Sequence, residues 1–320
     1  MTKIRIHKGM IALKYHYNQE VIQYTNGLPI KLYVCRIESV PFHWHQEMEI
    51  IYLVQGELQV NIENRCYHLQ KENLVLINTN EVHSFQQTDK ENLAIVIQLD
   101  LKRFKGHYPQ IEKTHFFCNS LLDKNAHEKY IILKKFLSKI LHVYDQKEPG
   151  FIIELNIIIQ QIILHLIRGF EKTVINEENL EKSSDNLKRL ERILKYIDEH
   201  YTEKITLDEI AKSEYISTYY FSHFFKDKMG MTFQTYVKHV RLKKAHNMLL
   251  ETDEKIVDIA HKSGFANSQM FASYFKEEFG MTPTQLRNES FQGAIMLEND
   301  KAVDQHKYID EDIKTVLNSF

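Results

Sequence analysis

Three cysteines in 320 residues, Cys35, Cys66 and Cys118, lie far apart, and none belongs to a CxxC pair. That excludes a disulfide framework and a thiolate zinc knuckle as organising features, and buried, inert thiols are expected. Long apolar runs are missing too. Charged residues break every apolar stretch of the opening MTKIRIHKGMIALKYHY, so it has no signal-peptide core, and no uninterrupted apolar span of membrane length occurs elsewhere. The expectation is a soluble, cytoplasmic protein with no membrane partner. Charge of one sign is also lacking: the net value of -2 neither announces nor excludes nucleic acid, because a binding face can be local. What is present is length and 43% hydrophobic residues, enough for substantial cores and for two or three domains.

From Lys31 to about Leu99 short runs of approximate period two (KLYVCRIESV, MEIIYLVQG, ELQVNIEN, NLAIVIQLD) alternate with breaks, the pattern of an antiparallel sandwich or barrel. From about Glu128 the period becomes helical. FIIELNIIIQQIILHLIRGF is too broadly apolar for one packed face, so either the sheet and a neighbouring helix cover it or a second subunit does, and a homodimer is expected. EKTVINEENLEKSSDN has little to bury and reads as a linker.

Beyond Asp185 the helices are short and the chain repeats. Ile210 and Ala211 recur at an offset of 49 as Ile259 and Ala260; Phe221, Phe225, Gly230, Met231 and Thr232 recur at an offset of 50 as Phe271, Phe275, Gly280, Met281 and Thr282. The extra residue falls in a turn, where insertion is cheap. Each copy is a short helix, a tight turn and a longer helix, the order of a helix-turn-helix. Thr206 with Glu209 forms a capping box, Ser217 and Asn267 stand as caps, Gly230 and Gly280 as terminators, and Pro283 sits early in a following helix.

Helical spacing sends Tyr220, Phe221, Phe224 and Phe225 inward in the first copy and Met270, Phe271, Tyr274 and Phe275 inward in the second. Thr218, Tyr219, Ser222, His223 and Lys226, and then Ser268, Gln269, Ala272, Ser273 and Lys276, are left outward. Small or hydrogen-bonding groups of this kind approach base edges in a major groove, and Gln pairs with adenine. Between Ser217 and Leu250 the acidic Asp227 stands alone against Lys226, Lys228, Lys238, Arg241, Lys243 and Lys244, a bias suited to phosphates, whereas Glu277 and Glu278 break the pattern in the second copy. Arg241 reads equally as a phosphate contact and as an intrachain ion pair.

IAHKSGFANSQMFASYFKEEFGMTPTQLR, with Ala260, Gly264, Phe265, Phe271, Phe275, Lys276, Gly280, Pro283 and Arg287, resembles the signature of the AraC/XylS family of bacterial transcription regulators. The resemblance covers about Leu187 to Asn288. It implies two helix-turn-helix units joined by a long helix and entering successive major grooves of promoter DNA, with reading helices that begin at Thr218 and Ser268. It also implies a cytoplasmic ligand, often sugar-related, that alters promoter occupancy or contact with RNA polymerase.

In PFHWHQEMEIIYLVQGE the even spacing of His43, His45 and Glu49 places them on one face of an extended segment, and His83 lies at the edge of another strand. Three imidazoles and a carboxylate suit a divalent metal such as zinc, iron, manganese or nickel. The span, with Gly56, resembles the first motif of the cupin fold, although Asn78, Thr79 and Asn80 replace the usual P-x-G before the later histidine. A metal site, a metal-free effector pocket with Tyr33, Phe42, Trp44 and Tyr52 as an aromatic wall, and structural histidines all stand as readings; no cofactor is required.

The resulting expectation is a two-domain α+β chain. A cupin-like antiparallel β-sandwich or barrel over 1–125 senses an effector, helices over 126–170 dimerise, 171–184 links, an all-α double helix-turn-helix over 185–290 binds DNA, and 291–320 is a tail that forms a small docking helix or stays partly loose. The rival classes are a cupin metalloenzyme (dioxygenase or isomerase) fused to a DNA-binding module, and a ligand-independent regulator controlled by a protein partner.

Overall fold

The computed structural model describes residues 22, 30–123, 127–293, 307–310 and 313–317, with the backbone alone at 289–293 and 307–310. The amino-terminal stretch that bears on a leader segment lies outside them. The described residues fall into two compact units, one running up to Leu187 and resuming at Lys307, the other beginning at Lys188.

The first unit is built on β1 (Ile30–His43), β2 (Met48–Gln55), β3 (Glu57–Ile62), β4 (Arg65–Gln70), β5 (Leu74–Ile77), β6 (His83–Gln87) and β7 (Leu93–Leu99). They pair antiparallel in the order β4-β3-β6-β1-β7-β2-β5 and curl into a near-closed barrel. Alternation along the strands divides their side chains between two cores. Ile37, Ile51, Leu53, Val60, Phe85 and Val96 meet inside. Ile50, Tyr52, Val54, Ile95 and Ile97 face outward, under α1 (His127–Gln146) and α2 (Phe151–Gly169). Both faces of β2 are covered, which is why MEIIYLV reads as an apolar run rather than as strict alternation.

By length and composition α2 is also suited to crossing a membrane, contrary to the expectation that no span qualifies. Glu154, Asn156, Gln160, Gln161, His165 and Arg168 interrupt it, and Leu155, Ile158, Ile159, Ile162 and Leu166 are spent on the core beneath. Its opposite side leaves Ile153, Ile157 and Leu164 exposed.

The stretch 171–184, poor in apolar groups, is nonetheless regular. After α1 and α2 the chain returns to β8 (Thr114–Phe117), pairing it with β9 (Glu171–Val174) in the register Thr114↔Val174 to Phe117↔Glu171. A two-stranded ribbon needs main-chain partners rather than apolar side chains. From Glu177 the chain enters α3 (Glu177–His200), whose first turn carries Glu177 and Glu178, favourable at the positive end of a helix dipole. The division between the two units falls inside this helix.

The second unit contains the rest of α3 and α4 (Leu207–Ser213), α5 (Thr218–Met229), α6 (Phe233–Glu251), α7 (Ile256–Lys262), α8 (Ser268–Phe279) and α9 (Pro283–Gly293). Phe221, Phe225, Phe233 and Tyr236 pack edge to face in its first half, at 5.3–5.8 Å between neighbouring ring centroids. Phe265, Phe271, Phe275 and Phe279 do the same work in the second.

The chain then comes back to the barrel. β10 (Lys307–Asp310) runs antiparallel to β1 with Cys35 opposite Asp310, and α10 (Ile313–Leu317) lies on α1 and buries Val316 completely. Within its described residues the tail is thus a strand and a docked helix of the barrel unit. Val316→Ala removes two buried methyl groups and should lower the stability of this unit by about 1.5 kcal/mol, at about 0.8 kcal/mol each. Thermal unfolding followed by near-ultraviolet dichroism checks it; an unchanged midpoint means the helix is not docked in solution.

Candidate nucleic-acid interface and buried histidine site

The longer helices of the two pairs are set by the same local devices, a side-chain cap and a terminal glycine, whereas α4 alone of the two shorter ones opens on a side-chain cap. At the first, the Thr206 hydroxyl accepts from the Glu209 amide while the Glu209 carboxylate accepts from the Thr206 amide, closing a capping box on α4. Ser217 caps α5 by accepting from the Tyr220 amide at 3.1 Å, and Asn267 caps α8 by accepting from the amides of Gln269 and Met270 at 2.7 and 3.3 Å. Gly230 and Gly280 end the two helices in the left-handed conformation, at φ 64° and 71°.

Thr218, Tyr219, Ser222, His223 and Lys226 on α5, and Gln269, Ser273 and Lys276 on α8, are exposed; Ser268 is half-buried. Tyr220 and Met270, both expected inward, instead point out of their helices, 44% and 51% exposed. The cause is the narrow contact of a twelve-residue helix: Phe221, Phe225 and Met229, or Phe271, Phe275 and Phe279, already fill the stripe that faces the neighbours.

Arg241 does not lie among the outward groups. From α6 its Nε donates to the Tyr201 carbonyl at 2.7 Å and its Nη2 to the Glu203 carbonyl at 2.6 Å, so its hydrogen-bond partners are carbonyls of the turn before α4 rather than a carboxylate. Half-burial pulls its pKa down from the ordinary guanidinium value without threatening its charge. Arg287 repeats the device from α9, donating to the carbonyls of Glu254 and of Thr252 in the turn before α7. Gly264, at φ 83°, presses against the first clamp: a Cβ there would lie 2.6 Å from the Tyr201 carbonyl oxygen and 2.8 Å from the Arg241 Nε. In the first copy the equivalent turn residue is Tyr215, at φ 56° and 96% exposed, where a side chain has room.

In the barrel unit His43, His45, His83 and Glu49 converge and are all buried. The three imidazoles offer ligand atoms within 4.8 Å of one another. His43 and His83 are opposite one another across β1 and β6. Each Nδ1 faces a main-chain carbonyl: His43 that of Pro41 at 2.9 Å, His45 that of Glu47 at 3.0 Å, His83 that of Glu81 at 2.8 Å. Carbonyls only accept, so each Nδ1 bears the hydrogen, and in the neutral ring the Nε2 lone pair is left for the interior. Glu49 stands beside them, its Oε2 3.3 Å from the His45 Nε2 and its Oε1 3.9 Å from the His83 Nε2, and Gln98 donates to its Oε2 at 2.9 Å. Burial alone would raise the Glu49 carboxyl, but the His45 and Gln98 contacts and the adjacent imidazoles hold it below the usual carboxylate range. Burial pushes His83 down to about 4, so its ring is neutral near pH 7.

Of the aromatic groups expected around this site, Tyr33 packs against the inner core but opposite Val96, seven residues along β1 from Val40, which is opposite Phe85, the ring neighbour of His43 and His83. Tyr52 belongs to the opposite core, under the helices, with the Lys134 ammonium over its ring. It is not part of the same wall, because strand alternation sends it to the other face. Trp44 and Phe42 are buried.

Residues 210–289 match the helix-turn-helix domain family and residues 36–105 the AraC-like ligand binding domain family. The chain belongs to the AraC/XylS family. An HTH-type transcriptional regulator of Staphylococcus aureus strain MRSA252 is 25% identical over 294 residues, which make up 90% of this chain and 37% of that protein. The chain therefore spans little more than a third of the staphylococcal relatives it matches. The HTH-type transcriptional activator RhaS of Klebsiella pneumoniae strain 342 is 25% identical over 78% of this chain and 88% of its own. Among solved structures, the C-terminal domain of the response regulator yesN from Fusobacterium nucleatum is 36% identical, covering 30% of this chain and 95% of that one at a TM-score of 0.29.

Within this AraC/XylS chain the histidine site fits a divalent transition metal ion. Imidazoles that give their second ring hydrogen to a carbonyl are the usual form of such ligands. The His45 Nε2 lies against the Glu49 carboxylate, with the Gln98 amide nitrogen 3.5 Å away, and a cation or an added proton would ease the contact of a neutral ring with that carboxylate. His43, His45, His83 and Glu49 would hold the ion, which would supply a Lewis-acidic centre in a closed interior. Gln98 was not legible as a member, though a lone amide in the apolar run LAIVIQL was its available signal.

The glycines give a paired test of the helical unit. Gly264→Ala should damage it severely, because Tyr201 and Arg241 occupy the space as well as φ being positive. Gly280→Ala, with nothing within 4 Å of the added Cβ, should cost only the left-handed conformation, about 1–2 kcal/mol. Thermal unfolding of both variants decides it, and equal losses would remove the close approach from the account.

Proposed function

We propose that this chain is a sequence-specific DNA-binding transcription regulator whose helical unit reads duplex promoter DNA and whose barrel unit senses a small ligand at the histidine site. The observation that carries the proposal is the duplicated helix-turn-helix, with matched caps, matched arginine clamps and two exposed faces rich in short polar groups. α5 presents Thr218, Tyr219, Ser222, His223 and Lys226 to one groove, and α8 presents Ser268, Gln269, Ser273 and Lys276 to the next. Arg241 acts behind them by fixing the turn that carries the first pair. On this reading the ligand that the buried donors suit is a divalent metal ion, and its occupancy alters promoter binding or contact with RNA polymerase in the cytoplasm. The regulator names carried by the relatives favour this over independent catalysis.

Replacing Gln269 by Ala should relax preference at one or two base pairs at a cost of about 1–3 kcal/mol while sparing the fold. Replacing Lys276 should weaken all sequences alike and lower the salt slope by about one unit. Phe275→Ala empties a fully buried position and should cost about 3–5 kcal/mol in stability. Binding-site selection beside unfolding curves separates the three, and an unchanged selected site for the Gln269 variant would remove that residue from the reading face.

A homodimer through α2 belongs to the same proposal. Ile153, Ile157 and Leu164 recur at four and seven residues along its exposed side, the spacing of a helix seam. Two linked readers gain effective concentration on DNA. Ile157→Lys should convert a dimer to a monomer in sedimentation at micromolar concentration; a wild-type monomer with and without DNA would dispose of this part.

A further inference from the structure

Between β5 and β6, residues 78–82 connect the histidine site to a second polar cluster that the reading above leaves unused. Glu81 faces both ways. Its carbonyl accepts from the His83 Nδ1 at 2.8 Å. Its carboxylate accepts from the Asn78 amide at 2.7 Å and lies 3.0 Å from the His115 Nε2 on β8. Next to it the Asn80 amide donates to the His45 carbonyl at 2.9 Å, so the same loop holds two of the three imidazole-bearing residues.

Asn78 completes the link. Its side-chain amide behaves as an extra peptide group against β8: the Phe116 amide donates to its Oδ1 at 2.8 Å, and its Nδ2 donates to the Phe116 carbonyl at 3.2 Å. Beyond β8 the contacts continue toward α3. His115 is opposite Thr173 on β9, the Ile175 amide donates to the Lys113 carbonyl at 2.8 Å, and the Lys113 ammonium meets Glu177, in the first turn of α3, at 2.6 Å.

We propose that Asn78, Glu81 and His115 transmit occupancy of the histidine site to the β8–β9 ribbon, and thereby to the helix through which the chain enters its DNA-binding unit. The proposal rests on reading the His43, His45, His83 and Glu49 cluster as a metal-sensing site. The physical step is a fixed ligand spacing. Imidazole nitrogens bound to a common ion lie at about 2.0–2.1 Å from it, so no pair of them is more than about 4.2 Å apart. Here the ligand atoms lie within 4.8 Å of one another, so an ion seated among them would fix a spacing that the imidazoles alone need not keep. Setting His45 and His83 to that spacing displaces the carbonyls to which their Nδ1 hydrogens are tied, and Glu81 carries that displacement from its main chain to its carboxylate. Asn78 and Glu81 then move β8 through hydrogen bonds to both its backbone and a side chain. A cluster that merely staples a loop to a ribbon would stabilise the fold equally with and without metal.

The test uses the full chain, Co2+ as the probe and a duplex obtained by binding-site selection. Cobalt affinity is read from its visible absorption, DNA affinity is measured with and without the ion, and amide hydrogen exchange is mapped in both states. In the wild type, cobalt should change DNA affinity at least tenfold and slow exchange at 78–83, 113–117 and 171–180. In His115→Phe and Glu81→Gln, cobalt affinity should stay within threefold of wild type while the change in DNA affinity falls below threefold and protection stops at residue 83. Coupling is reciprocal, so the DNA-induced change in cobalt affinity must shrink by the same factor. If wild-type protein binds no cobalt, or binds it without effect on DNA, the sensing reading itself fails and the route falls with it. If wild-type coupling is present and both variants, folded by circular dichroism, retain it in full, the route alone is overturned.

Discussion

Three main-chain carbonyls, those of Pro41, Glu47 and Glu81, decide the character of the barrel's interior. By holding the Nδ1 hydrogens of three imidazoles they turn the other ring nitrogens toward one buried point, where the Glu49 carboxylate adds further negative potential. Antiparallel pairing of β1 with β6 and of β2 with β7 forces these groups together, because His43 lies opposite His83 and Glu49 opposite Gln98. In a buried interior such a concentration of lone pairs is eased by donors such as the Gln98 amide, by a proton or by a cation. The same carbonyl restraint ties the interior to the loop before β6, so the site's chemistry and its surroundings cannot vary independently.

The helical unit solves a different problem, that of holding two short exposed helices, α5 and α8, with little buried area each. Aromatic packing supplies the area, and an arginine in the helix after each of them, Arg241 or Arg287, secures the turn before its pair. The two copies are not equivalent in charge. Lys226 and Lys228 accompany α5, while Glu277 and Glu278 accompany α8; yet Glu278 is drawn to His239 of α6 at 3.0 Å and is mostly covered. Part of the acidity seen in the second copy is therefore spent internally, and the difference between the two exposed faces is smaller than composition suggests.

The caps at Thr206, Ser217 and Asn267, the terminators Gly230 and Gly280 and the spacing of the phenylalanines were legible because each is decided within a few residues. The convergence of His43, His45, Glu49 and His83 was legible through strand periodicity. Tyr220 and Met270 were misplaced because a two-turn pattern admits a wide inward stripe, and only the packed neighbours show that Phe221 and Phe271 suffice. Tyr52 and Tyr33 were grouped although period two separates them. Arg241 with Tyr201 and Glu203, Asn78 with Phe116, and β10 with β1 were not legible, since their partners are 38 or more residues distant and the contacts run through backbone groups that carry no sequence signal.

The return of β10 and α10 to the barrel makes the helical unit an insertion within the barrel unit's own chain order. During synthesis the strands from β1 to β7 leave the ribosome first, but the strand that lies along Cys35–Ser39 and the helix that buries Val316 are made only after α9. The barrel unit cannot complete its packing until the helical unit has been translated. For that interval the edge of β1 stands without its last partner, open to water, to chaperones or to the equivalent strand of another nascent chain.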